Sequence, residues 1–325
     1  MPPIHFGALV PQGWKREFDG LDARTAYATM IDTSLACERA GYDSIWLYDH
    51  FHSVPPPPVA TPVFECWTSM MALAERTSSV RLGQMVTCTP YRNPAYLAKV
   101  SACVDVASNG RLEMGVGAGW YWDEFNAYGY GFPDAKERIG YLADTVEILT
   151  RMWSDEKATY EGAYASVKDA FSDPKPLQSP RPPLWIGGGG EQLTLRVVAR
   201  HADYANFGGD LDTWARKRDI LFEHCSKVGR DPSEIRLTLH QDALVGPDEA
   251  SVKKLEDKHP SIWGASNEDR RKGHLVGTPA QVVDRINEYV ALGASGFVIW
   301  FPDYPSPGSM ELFASEVMPH FERGR

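Results

Sequence analysis

The chain is short of what several large protein classes need. Positive charge is scarce, with 33 Lys and Arg against 43 Asp and Glu and a formal charge of −10. Duplex nucleic acid and anionic membrane surfaces are bound by clustered Lys and Arg, so neither is expected as a partner. Long apolar runs are missing too. Met1-Pro2-Pro3 leads straight into the strand-like stretch Ile4–Val10 with no charged leader segment, and no run approaches the ~20 apolar residues of a membrane span. A cytoplasmic enzyme is the expectation. The five cysteines (Cys37, Cys66, Cys88, Cys103 and Cys225) are odd in number, widely spaced and without a CxxC pair. That excludes a disulfide framework or a zinc site as the organising device, and no metal is expected. Repeats, low-complexity tails and linkers are also lacking, so residues 1–325 read as one domain.

What is present is an alternation. Eight stretches read as strands: 4–10, 44–48, 80–87, 112–116, 183–186, 204–207, 235–239 and 296–301. Several end in small or polar residues and run into a helical pattern. Asp22 reads as the cap of a helix carrying Tyr27, Met30, Ile31 and Leu35 on one stripe and ending at Gly41, and Asn93-Pro94 starts another. Thr278 and Gln281 form a capping box around Pro279, ahead of a stripe of Val282, Ile286, Tyr289 and Val290. Eight βα units predict a (β/α)8 barrel, and 325 residues exceed its typical size of about 250 enough to allow insertions. Two insertions are legible: the proline run Pro55–Pro58, and the segment 157–183, which contains a hairpin signal at Thr159–Tyr164. Both are expected to border the site.

In such a barrel, ligands sit at the carboxyl ends of the strands. Asp49-His50 lies at the end of the second strand, and an imidazole with a pKa of roughly 6.5 exchanges protons near neutral pH, which makes His50 the candidate acid or base. His52 has no such neighbour and reads as a loop residue. The run Gly187–Gly190 is longer than a tight turn requires and precedes a helix, so its backbone amides are candidates for a phosphate. Gly115-Val116-Gly117-Ala118-Gly119 lacks the glycine spacing of a dinucleotide fingerprint and follows the wrong strand, so it is better read as room for a flat ring. Trp120 and Tyr121 are candidate walls for that ring, while Trp122 is better explained by helix packing.

These segments together carry a resemblance. Tyr48-Asp49-His50-Phe51, Leu82-Gly83-Gln84-Met85-Val86-Thr87, Tyr91-Arg92-Asn93-Pro94, Gly115–Trp120 and Trp185–Gly190, in this order and spacing, resemble the bacterial luciferase-like superfamily and, within it, the branch that uses the deazaflavin coenzyme F420. The resemblance spans nearly the whole chain and implies a luciferase-like (β/α)8 TIM barrel with a deazaflavin at its carboxyl face. It implies that Asp49 and His50 neighbour the ring and that Met85-Val86 forms a bulge behind it, where the family often has a non-prolyl cis peptide. Thr87 and Cys88 then follow the bulge, Gly119 and Trp120 border the ring, and Gly187, Gly188, Gly189 and Gly190 hold the cofactor phosphate. A homodimer is common in that family. In one respect this chain departs from its sugar-phosphate dehydrogenases, which have a catalytic glutamate where this chain has Trp120, so their substrate and acid catalyst do not transfer.

The leading expectation is therefore an F420-dependent oxidoreductase that moves a hydride to or from a small organic substrate, with His50 as acid or base. The alternative is an FMN-dependent monooxygenase supplied with reduced flavin by a separate reductase. A non-catalytic flavin-binding barrel needs no Asp49-His50 pair and is set aside.

Overall fold

The computed structural model describes residues 3–323. Eight parallel strands close into a barrel: β1 His5–Leu9, β2 Ser44–Leu47, β3 Arg81–Gln84, β4 Leu112–Gly117, β5 Leu184–Gly187, β6 Tyr204–Asn206, β7 Arg236–Val245 and β8 Ala294–Trp300. Each pairs with the next, β8 pairs with β1, and all eight strands legible in the sequence are present. The largest departure is β7, which continues well past residue 239. Its second half pairs with a short strand at Leu275–Gly277 that the sequence pattern did not suggest.

Helices α1 Ala23–Ala40, α2 Cys66–Arg76, α3 Pro94–Ala107, α4 Ala135–Ser154, α5 Thr194–His201, α6 Leu211–Val228, α7 Pro279–Ala291 and α8 Gly308–Glu316 form the outer ring. Their ends follow capping chemistry. Asp22 and Asn93 accept backbone N–H groups at the starts of α1 and α3, Gly41 closes α1 at φ 83°, and Thr278 with Gln281 completes the box on α7.

Aromatic rings fill the barrel. Trp46 is fully buried and packs on Trp185, ring centroids 4.6 Å apart, and Trp185 in turn stacks on Tyr204 at 4.1 Å. A Cβ on Gly7 or Gly83 would lie 2.3 Å from Trp46 atoms, so the two glycines on neighbouring strands are the space that this indole occupies.

The insertions do not lie where the sequence suggested. The hairpin forms from antiparallel strands Ala158–Glu161 and Ser166–Ala170. Buried Asp144 of α4 draws it onto the outside of the barrel by accepting from Tyr160 Oη (2.9 Å) and from the amides of Tyr164 (2.7 Å) and Ala165 (3.0 Å). The proline run is folded back by Ser53, whose Oγ accepts from Val59 N at 2.9 Å. Neither reaches the central cavity. A third excursion does, the segment of helices Glu249–Lys258 and Asn267–Gly273, which brings Trp263 to the cavity mouth.

Candidate active site

A cavity of about 650 Å³ opens at the carboxyl ends of the strands. Strand order divides its wall into two halves. β3 to β6 supply Met85, Val86, Gly119, Gly187–Gly190 and Asn206, while β7, β1 and β2 supply His240, Trp14, Lys15 and Tyr48. The glycine loop after β5 thus faces the loop after β1 across the barrel.

His50 sits between them, its side chain 12% exposed. Its partner is not the adjacent Asp49 but Glu124, which reaches it from the short helix Trp122–Ala127 after β4. Nδ1 lies 2.7 Å from Glu124 Oε2, and the glutamate is fully enclosed. Glu124 also accepts from the amides of Phe51 (2.8 Å) and His52 (3.3 Å) and from Tyr91 Oη (3.1 Å). Burial alone raises its pKa, but the bond and charge of His50 and the two amides outweigh it and hold the carboxyl below its usual range. A carboxylate accepting Nδ1–H leaves Nε2 as the free proton acceptor of a neutral imidazole. Trp14 stacks flat on the other side of the ring.

Asp49 has a different task from the one adjacency suggested. Its side chain is fully buried, with Oδ2 accepting from Cys88 N (2.8 Å) and Arg92 Nη1 (2.5 Å) and Oδ1 from Arg92 Nη2 (2.9 Å). A carboxylate so fully engaged fixes backbone, and Asp49 also borders the cavity. It clamps the end of β2 to the segment after β3, where Met85-Val86 is a cis peptide bond and both side chains line the cavity.

The glycines of β4 and β5 answer to that segment. A Cβ on Gly115 would lie 1.8 Å from the Gln84 carbonyl oxygen, on Gly117 2.4 Å from Val86 Cγ2 and on Gly187 2.7 Å from Val86 Cγ1. Gly115 thus makes room for the bulge and not directly for a ring, a correction to the sequence reading, while Gly117 both clears Val86 and lines the cavity. Gly188 has φ 122°, and a Cβ on Gly189 would meet Lys217 Nζ at 2.6 Å. The loop therefore carries an ammonium beside its amides and the amino end of α5.

Among the remaining sequence candidates, Cys88 and Gly119 lie on the wall, and burial pushes the Cys88 thiol pKa well up. Thr87 does not reach the wall. It is fully buried, because in the two-residue strand Thr87–Cys88 it points away from the side that Cys88 faces. Trp120 borders the mouth, 56% exposed, with its ring 6.1 Å edge-on from Trp263. Trp122, read as a packing residue, is 59% exposed instead, since the six-residue helix turns Glu124 and Phe125 inward and Trp122 out. Sequence reasoning missed Glu124, Trp14, Lys15 and His240. For Glu124 a signal existed, an acidic residue beside the apolar Phe125 soon after a strand end. For the others only their places after β1 and in β7 pointed to the site.

The fold and site define a (β/α)8 enzyme with an imidazole–carboxylate pair over a glycine-lined cavity. Residues 14–264 match the model of the luciferase-like monooxygenase family, to which the chain belongs. It is 32% identical over 321 residues to an F420-dependent glucose-6-phosphate dehydrogenase of Amycolatopsis mediterranei (strain U-32), covering 89% of this chain and 93% of that one. Among solved structures, an F420-dependent secondary alcohol dehydrogenase in complex with an F420-acetone adduct superposes with a TM-score of 0.80 at 21% identity, covering 98% of each chain. The oxygenating constituent of 3,6-diketocamphane monooxygenase from Pseudomonas putida, in complex with FMN, does so at 0.77 with 20% identity, covering 99% of this chain and 100% of that one.

Proposed function

We propose that the protein is an F420-dependent oxidoreductase acting on a small organic alcohol or carbonyl compound, with His50 as its acid and base. The observation that carries this reading is the His50–Glu124 pair, held at the cavity wall with Nε2 free. The relatives' dependence on F420 supports the choice of cofactor.

The residues present fit such a group. Val86, Met85 and Gly119 offer a wall for a flat ring, and Gly188–Gly190 with Thr194 and Lys217 offer amides, a hydroxyl and an ammonium for a phosphate. When bound, a deazaflavin supplies a ring carbon that accepts or gives hydride. The protein moves the proton. In alcohol oxidation Nε2 takes the hydroxyl proton, and Glu124 stabilises the imidazolium that results. In carbonyl reduction the same nitrogen returns the proton to the oxygen. Asp49 and Arg92 keep the wall behind the ring in place, and Trp14 keeps the imidazole at one angle.

A flavin mononucleotide phosphate suits the same loop, and the P. putida relative binds FMN on this fold. The test is titration of purified protein with F420 and with FMN by fluorescence quenching, followed by turnover without oxygen. Tight binding of F420 and oxygen-independent oxidation or reduction are expected. Activity that strictly needs oxygen and reduced FMN would replace this reading with the monooxygenase.

A further inference from the structure

The cavity has a second polar station that chemistry at His50 does not use. Lys15, in the loop after β1, extends across the face of Trp300, with Nζ 3.7 Å from the ring centroid and 3.4 Å from Asp242 Oδ1. Beside it Tyr48 Oη lies 3.1 Å from His240 Nε2. Lys15, Tyr48 and His240 line the cavity, on the half opposite the glycine loop.

An ammonium that is 4% exposed costs desolvation, which only paired or hydrogen-bonded neighbours offset. Asp242 accepts from one of its three N–H groups, and among the described residues no other protein acceptor is within hydrogen-bond reach. The station thus holds donors that the protein itself leaves unspent. It holds no surplus positive charge. Burial opposes ionisation of both partners and lowers the Lys15 pKa, while the Lys15 and Arg270 charges hold Asp242 below its usual range, so the cation at 3.4 Å faces a carboxylate that balances it. Burial and Lys15 push His240 down to about 3, which leaves it neutral, and buried Glu17 accepts from the Lys15 amide at 2.9 Å. A phosphate dianion placed here meets Asp242 as well as Lys15. The indoles of Trp14, Trp120 and Trp263 line the same cavity.

We propose that Lys15, Tyr48 and His240 form a substrate-anchoring subsite that hydrogen-bonds a second, uncharged oxygen of a neutral ring compound whose apolar body lies against Trp14 and Trp263. This rests on reading the β3–β6 half as the cofactor side.

The test is ligand-observed NMR titration of the cofactor-free protein with 4-hydroxycyclohexanone, cyclohexanone and glucose 6-phosphate. The hydroxyketone is expected to bind at least tenfold more tightly than cyclohexanone. The double variant Lys15→Met with Asp242→Asn removes both charges together, and Tyr48→Phe deletes one hydroxyl. Each is expected to bring that ratio within twofold while leaving cyclohexanone affinity unchanged. The subsite is overturned by equal affinities in the native protein, by no binding of any of the three, or by a folded variant of either kind that keeps the ratio. It is equally overturned if glucose 6-phosphate binds more tightly than both ketones. A protein that shows the ratio yet fails to bind F420 keeps the subsite and loses the cofactor assignment.

Discussion

The indole of Trp14 lies flat on the imidazole of His50, ring centroids 3.9 Å apart and planes 2° from parallel. Glu124 holds the same ring at its edge, so the imidazole is fixed in both tilt and rotation. Trp14→Leu removes the face and leaves the edge. Turnover is expected to fall about tenfold, the scale of a loosened catalytic geometry, with F420 affinity within twofold of native. Equal losses in both would make Trp14 a cofactor contact instead.

Removing the imidazole goes further. His50→Ala is expected to lower turnover by roughly 100-fold or more while F420 still binds, which fluorescence titration and steady-state kinetics on one sample separate. Glu124→Gln is expected to fall between native and His50→Ala, because an amide oxygen still accepts from Nδ1–H but brings no negative charge. Native turnover in His50→Ala would end the role given to that residue.

The barrel was legible because its signals are local and periodic: strand runs, an Asp22 or Asn93 cap, the Thr278–Gln281 box. The glycine loop and His50 were legible because strand ends are where such folds bind. Partnership was not. His50 and Glu124 are 74 positions apart, and Asp49, the nearer carboxylate, is taken by Arg92 and the Cys88 amide. Adjacency suggested a pair that burial forbids. The Lys15 station was equally hidden, since β1, β2, β7 and β8 meet only when the barrel closes.

The glycine loop separates strain from contact. Gly188 sits at φ 122°, so Gly188→Ala is expected to cost stability, about 1–2 kcal/mol in urea unfolding, whatever is bound. At Gly189 the obstacle is the flexible end of Lys217, so Gly189→Ala is expected to unfold like native protein and to weaken F420 binding about tenfold by displacing the ammonium. Equal loss of stability in both variants would reduce the loop to a tight turn.

Acid sensitivity has a traceable source in α1. Burial works against ionisation of Glu38, yet the amides of Ser79, Val80 and Ser78 and the Ser79 hydroxyl outweigh it and hold the carboxyl at about 2. A folded pKa below the unfolded one means stability that is present above pH 4.5 and lost as pH falls towards 2. The site is partly open to solvent, so its contribution is on the order of 1 kcal/mol. Glu38→Gln is therefore expected to be less stable than native protein at pH 7, with the gap narrowing steadily as pH is lowered from 4.5 towards 2. A difference that stays constant over that range would mean that charge has no part in it.

The clamp behind the ring yields the sharpest stability difference. Arg92 binds Asp49 through two nitrogens and reaches Glu65, the residue capping α2, at 2.7 Å, so one guanidinium ties β2, α2 and the segment after β3 together. Arg92→Met deletes that cation and leaves the Asp49 carboxylate, fully buried, with only the Cys88 amide. Breaking a buried pair on one side costs about 3–5 kcal/mol, because the remaining charge stays uncompensated. Arg92→Met is therefore expected to lose that much in urea unfolding, and adding Asp49→Asn to recover more than half of it, since an amide needs no counter-charge. The double variant still lacks the bidentate hold on the Met85–Cys88 wall, so it is expected to fold and yet bind F420 at least tenfold more weakly. Native-like affinity in the double variant would show that the clamp serves the barrel alone, and a loss under 1 kcal/mol in Arg92→Met would show that solvent reaches the pair.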